Sequence, residues 1–113
     1  MPVGSGLPTP FAEEVLDLVA TVPAGCAVAY GDIARVLGHG GPRQVGNALA
    51  RFGGGVPWHR VVRSDGSPPP GHAREALARH RAEGTPLSPD GTRVDLARAR
   101  PARFRPQSPT TTR

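Results

Sequence analysis

The sequence has no lysine, a single cysteine and few aromatic residues: one Trp, one Tyr and three Phe in 113 residues. One cysteine, Cys26, excludes an intramolecular disulfide framework and a cysteine-rich zinc site, and it fits a reducing compartment. His39, His59, His72 and His80 are scattered without metal-ligand spacing, so no metal or other cofactor is expected. No apolar run approaches the roughly 20 residues that a membrane helix needs, so no membrane partner is expected. No charged, apolar and small-residue series reads as a secretory signal, which points to the cytoplasm. The length suits one small domain and argues against a two-domain enzyme or a large cofactor fold.

What is present is uneven. The basic residues are 14 arginines, none of them before residue 35, and residues 1–34 carry four of the nine acids. Five arginines follow the last acid, Asp95. A pI near 11 suggests a polyanionic partner, most simply nucleic acid. Arginine in place of lysine throughout also reads as a compositional bias, which does not explain the clustering. The 15 Gly and 14 Pro predict that part of the chain is unpacked.

The spacing predicts a mainly α fold. Residues 1–8 read as a flexible arm, residues 9–96 as the domain, and residues 97–113, rich in Arg, Pro, Ser and Thr, as a disordered tail. Thr9-Pro10 reads as a cap and first position of an amphipathic helix reaching Pro23. Gly31-Asp32 reads as the start of a second helix over 33–37, and Pro42 as the opening of a third, reaching about Phe52. Two short helices across a Gly-containing turn form a pattern like a winged helix-turn-helix DNA-binding motif. Gly53-Gly54-Gly55 reads as a flexible joint, residues 72–83 as a last helix, and residues 86–96, around Pro89-Asp90-Gly91, as a small C-terminal hairpin.

Three stretches carry the most information: VAYGDIA at residues 28–34, RQVGNA at 43–48, and Pro57-Trp58-His59-Arg60-Val61. In this order and spacing they resemble the DNA-binding domain of the O6-alkylguanine-DNA alkyltransferases, over residues 11–84. In that family the last run is Pro-Cys-His-Arg-Val, and its cysteine takes the alkyl group from the damaged base. Trp58 stands at that position here. The same replacement marks the alkyltransferase-like proteins, which share the domain but cannot accept the alkyl group. An indole offers no nucleophile for covalent transfer, but its flat face can line a pocket for an extruded base. Read without the resemblance, Trp58 is an ordinary core tryptophan.

The resemblance implies a non-enzymatic sensor that binds duplex DNA in the minor groove and flips O6-alkylguanine into a pocket lined by Trp58, Tyr30, Val56, Pro57 and His59. It implies that Arg43 fills the space left by the flipped base, and that Tyr30 crowds the neighbouring phosphate and helps to rotate the nucleotide. Gln44, Gly46, Asn47, Arg51, Arg60 and Arg63 complete the expected DNA-binding set, and His59 and Glu83 are a retained hydrogen-bond pair. Arg43 alone could equally be a phosphate contact, and Gly46 could serve close helix packing. The segment over 67–72 is short and stiff where the family has a polar or basic lid. It holds no obvious lesion-contacting arginine, and Arg74 or His72 would have to substitute. The resemblance further implies hand-over to nucleotide excision repair, in bacteria through UvrA, by a nucleoid-associated monomer. Two other readings remain: a sequence-specific helix-turn-helix regulator acting in the major groove, and a residual alkyltransferase using Cys26.

Overall fold

The computed structural model describes residues 7–106; the expected arm, apart from Leu7 and Pro8, and the end of the tail, residues 107–113, lie outside them. Thr9 is extended, and its hydroxyl accepts the Ala12 amide, capping α1 (Pro10–Val19), whose first position is held by Pro10. The helix is shorter than its apolar spacing predicts. Its last turn loosens into 20–22, which still buries Val22.

A two-residue strand, β1 (Val28–Ala29), leads without a loop into α2 (Tyr30–Leu37). This helix starts three residues before the expected Ile33. Asp32 lies inside its first turn and reaches back, its carboxylate accepting the Ala29 amide at 2.8 Å. Gly38 closes α2 in the left-handed conformation, φ +84°, which glycine adopts without strain. The third helix, α3 (Pro42–Phe52), opens on Pro42 as expected. The glycines after it are not a loose joint. They form a 3-10 turn with Gly53 buried, where an added Cβ would stand 3.3 Å from Leu49 and 3.6 Å from the Trp58 Cβ.

A second 3-10 turn, Trp58–Arg60, delivers β2 (Val61–Val62), which pairs in parallel with β1, Val28 opposite Val61 and Ala29 opposite Val62. Parallel strands require a crossover, and α2 with α3 supplies it. Side chains alternate across even so short a sheet. Val28 and Val61 join the main core of α1, α2 and α3, with Val15, Val19, Ile33 and Val45. Ala29 and Val62 face a second cluster with Ala27, Val94, Leu96 and Ala99.

The chain continues through α4 (Ala73–Glu83), an antiparallel bridge between Leu87 and Val94 where the hairpin is expected, and a short helix, α5 (Leu96–Ala99). Here the expectation of disorder from residue 97 is corrected. Residues 97–105 are folded, and Phe104 is fully buried in the main core. Composition hides this because one aromatic side chain and one ion pair, Arg100 with Asp32 at 2.8 Å, anchor the segment. No helix among the described residues is long and apolar enough to cross a membrane.

Candidate nucleic-acid interface

The start of α2, one face of α3, the Trp58 turn and the loop entering α4 surround a solvent-open cavity of about 800 Å³. Arg43, Gly46 and Ala50 line it from α3 at positions i, i+3 and i+7, one face of a helix, while Val45, Ala48 and Leu49 pack mainly toward the core. Tyr30 enters from the first residue of α2, Trp58 from the turn after the glycines, and Arg63 from just past β2. Pro69, Pro70, His72 and Glu75 form the opposite rim.

Trp58 is half-buried, with the His72 ring edge-on at 5.5 Å between centroids. The Arg79 guanidinium lies 5.6 Å from the Trp58 ring centroid, held by Glu75 at 2.8 Å. Burial raises the Tyr30 phenol pKa against the opposing charge of Arg63, so at neutral pH the hydroxyl keeps its proton.

Behind Trp58 the motif closes on itself. His59 is 2% exposed, and its Nε2–H donates to the Glu83 carboxylate at 3.0 Å. Arg60 donates from Nε and Nη2 to the same carboxylate and from Nη1 to the Val22 carbonyl. These partners, Arg60 foremost, hold the Glu83 carboxyl down at about 2. His80, fully buried, donates from Nε2 to the His59 carbonyl at 2.8 Å, so its Nδ1 accepts the Thr85 hydroxyl at 3.0 Å. Burial pushes the pKa of both histidines below the usual imidazole value, and both rings are neutral at pH 7. The His59 Nδ1 has no partner among the described residues.

The expected site residues therefore divide. Tyr30, Trp58, Arg43, Gly46 and Arg63 come together around the cavity. Val56 and Pro57 do not line it; Val56 packs on the main core, and Pro57 starts the turn. His59 lies beneath, and Arg60, expected on the binding face, is turned inward, with one hydrogen bond from each guanidinium nitrogen to Glu83 or Val22. Gln44 is exposed, its amide oxygen accepting the Gly41 N–H at the start of α3. Asn47 and Arg51 are exposed on α3 outside the cavity lining. Cys26 is half-buried against the core and does not line the cavity either. Sequence reasoning missed Ala50, which its spacing from Arg43 and Gly46 could have revealed. It also missed Arg79, whose approach to Trp58 has no local signal. No group of three or more metal-ligating side chains stands together among the described residues.

Residues 10–85 match the family described as 6-O-methylguanine DNA methyltransferase, DNA binding domain. A DNA base-flipping protein of Escherichia coli is 39% identical over 98 residues, spanning 80% of this chain and 73% of that protein. Alkyltransferase-like protein 1 of Schizosaccharomyces pombe is 42% identical over 60 residues, spanning 50% of this chain and 56% of that protein. The crystal structure of S. pombe Atl1 in complex with damaged DNA containing O6-carboxymethylguanine superposes with a TM-score of 0.68 at 30% identity, over 80% of this chain and 93% of that one.

Proposed function

The chain belongs to the 6-O-methylguanine DNA methyltransferase family through its DNA-binding domain, on the alkyltransferase-like side, and from that premise we propose that it is a non-enzymatic sensor of O6-alkylguanine in duplex DNA. The observation that carries the reading is Trp58 at the cavity with Tyr30 and Arg43; the resemblance puts it at the position of the family's acceptor cysteine. A base extruded from the duplex stacks on aromatic and apolar walls. The alkyl group adds apolar contact, about 0.8 kcal/mol for each CH₂ buried.

The other cavity residues take roles that suit their chemistry. Arg43, at the second position of α3, is exposed at the cavity edge and has a planar cationic group that can stack where the base leaves. The protonated Tyr30 hydroxyl and the Arg63 guanidinium suit the phosphate beside the extruded nucleotide. Gly46 supports a close groove approach: an added Cβ would meet only Tyr30 Cε1, at 3.9 Å, so packing inside the chain does not require glycine there. The lesion is held and not repaired, since Cys26 does not line the cavity. Removal then falls to nucleotide excision repair, in bacteria by way of UvrA. The exposed Gln44, Asn47 and Arg51 of α3 would also suit a reader of base sequence, but such a reader has no use for the cavity beside them.

The test is a titration of one duplex with and without a single O6-methylguanine. Tighter binding of the modified duplex, with no mass gain on the protein after incubation, is the expected result. Equal affinity removes the sensor reading, and a 14 Da gain restores the enzyme.

A further inference from the structure

We propose that Arg100 is a positioning residue for Tyr30, acting from the C-terminal segment that lies past the family-matched residues 10–85. The proposal rests on the sensor reading above and concerns how its discrimination is set.

Asp32 is 3% exposed and gathers three donors. Its Oδ2 accepts the Ala29 amide and the Arg100 Nε, both at 2.8 Å, and its Oδ1 accepts Arg35 Nη1 at 3.0 Å. Arg35 is itself tied to the segment, its Nη2 donating to the Phe104 carbonyl. The amide in this cluster belongs to the residue immediately before Tyr30, and Tyr30 is the first residue of α2. Asp32 thus decides where α2 begins, and Arg100 holds Asp32 in place. Two further ties come from the same segment. The Ala99 carbonyl accepts the Ala27 amide at 3.1 Å, just ahead of β1, and the Val94 amide donates to the Gly66 carbonyl at 2.8 Å, behind Arg63. At Gly66, φ +89°, the approach is so close that a Cβ would overlap the Val94 carbonyl.

Among the described residues no hydrogen bond holds the Tyr30 hydroxyl; its ring packs against the main core, and its placement over the cavity follows from that packing and from the backbone at the start of α2. Without Arg100, the buried Asp32 carboxylate retains one cation, which it shares with the Phe104 carbonyl, and the first turn of α2 loses its outer support. Arg100 is far along the chain from every cavity residue and does not line the cavity; its side chain reaches the start of α2 through Asp32, its hydrogen-bond partner.

A double-mutant cycle tests this. The readout is the ratio of dissociation constants for the undamaged and the O6-methylguanine duplex. Arg100→Gln and Tyr30→Ala should each lower the ratio by roughly fivefold to tenfold, and together no further than Tyr30→Ala alone, because both remove one coupled function. Arg100→Lys, which keeps the charge but not the fork, should hold the melting temperature and still lose part of the ratio. Losses that multiply, or a lower melting temperature with an unchanged ratio, overturn the positioning role and leave the sensor reading intact. A wild-type ratio of one overturns both.

Discussion

Trp58 and His59 are neighbours in the chain and opposites in their surroundings. Trp58 is half-buried at an open cavity, its ring met by His72, His59 and the guanidinium of Arg79. His59 is enclosed with Glu83, Arg60 and His80 in a network that leaves a single nitrogen unpartnered among the described residues. One five-residue run therefore has a face open to a partner and a back closed by hydrogen bonds at all but the His59 Nδ1. The difference teaches that matching a motif does not make all of its residues contact the same thing. In this chain the His59–Glu83 pair lies outside the cavity lining, and its expected role is to brace the wall on which Trp58 stands.

The sharpest way to break that division is at Glu83. Glu83→Ala leaves the Arg60 guanidinium and the His59 Nε2–H without their acceptor, which should cost about 3 kcal/mol. That is a fall of roughly 15 °C in melting temperature for a domain of this size. The pH dependence carries the same signature. With its folded pKa near 2 against an ordinary 4.5, Glu83 stabilises fully above about pH 4.5 and loses that contribution as pH falls toward 2. The buried histidines act higher. Their pKa values are lowered on folding, so the unfolded chain takes up protons first and stability falls as pH drops below about 6.5. Denaturant unfolding from pH 7 to 3 should show both losses in the wild type, with the lower one reduced in Glu83→Gln, since Asp90 and Asp65 also have lowered pKa values. If Glu83→Ala melts like the wild type, the network is not a brace.

Trp58→Ala tests the other face and should do the reverse. Losing one base-stacking aromatic costs about 2 kcal/mol, which is roughly thirtyfold in affinity for the O6-methylguanine duplex. The melting temperature should move little, since Trp58 is half-buried with one side on the cavity. A loss of stability as large as that of Glu83→Ala, with both duplexes weakened alike, would make Trp58 a core residue after all.

Two helix starts were readable because each depends on local chemistry. Thr9-Pro10 and Pro42 mark them through capping and a preset φ, whereas the polar positions of α3 do not all turn to the cavity: Arg43 lines it, and Gln44, Asn47 and Arg51 do not. The family match carried Tyr30 and Trp58 to the same place. What could not be read depends on partners far apart in the chain. Arg60 turns inward because Glu83 and Val22 wait for it, 23 and 38 residues away. Residues 97–105 look disordered by composition, yet Phe104 enters a core built by α1, α2 and α3, and Arg100 crosses 68 residues to reach Asp32. Local pattern carries no trace of either.

Gly46 offers the finest test, because there the two demands have opposite signs. Glycine inside a helix costs about 1 kcal/mol relative to alanine. Its φ is not left-handed, and the nearest atom to an added Cβ is Tyr30 Cε1 at 3.9 Å, an ordinary contact. Inside the protein, then, alanine is the better residue, and Gly46→Ala should raise the melting temperature by roughly 5 °C. Toward the outside the same methyl group stands on the cavity face of α3, between Arg43 and Ala50. If that face lies against a groove, the variant should bind undamaged and O6-methylguanine duplexes more weakly while being more stable, a combination that loss of folding cannot produce. Thermal melting and duplex titration on one preparation decide it. A more stable variant with unchanged affinity for both duplexes would move the contact surface away from α3, and a less stable one would mean that the glycine serves the packing of α3 against Tyr30.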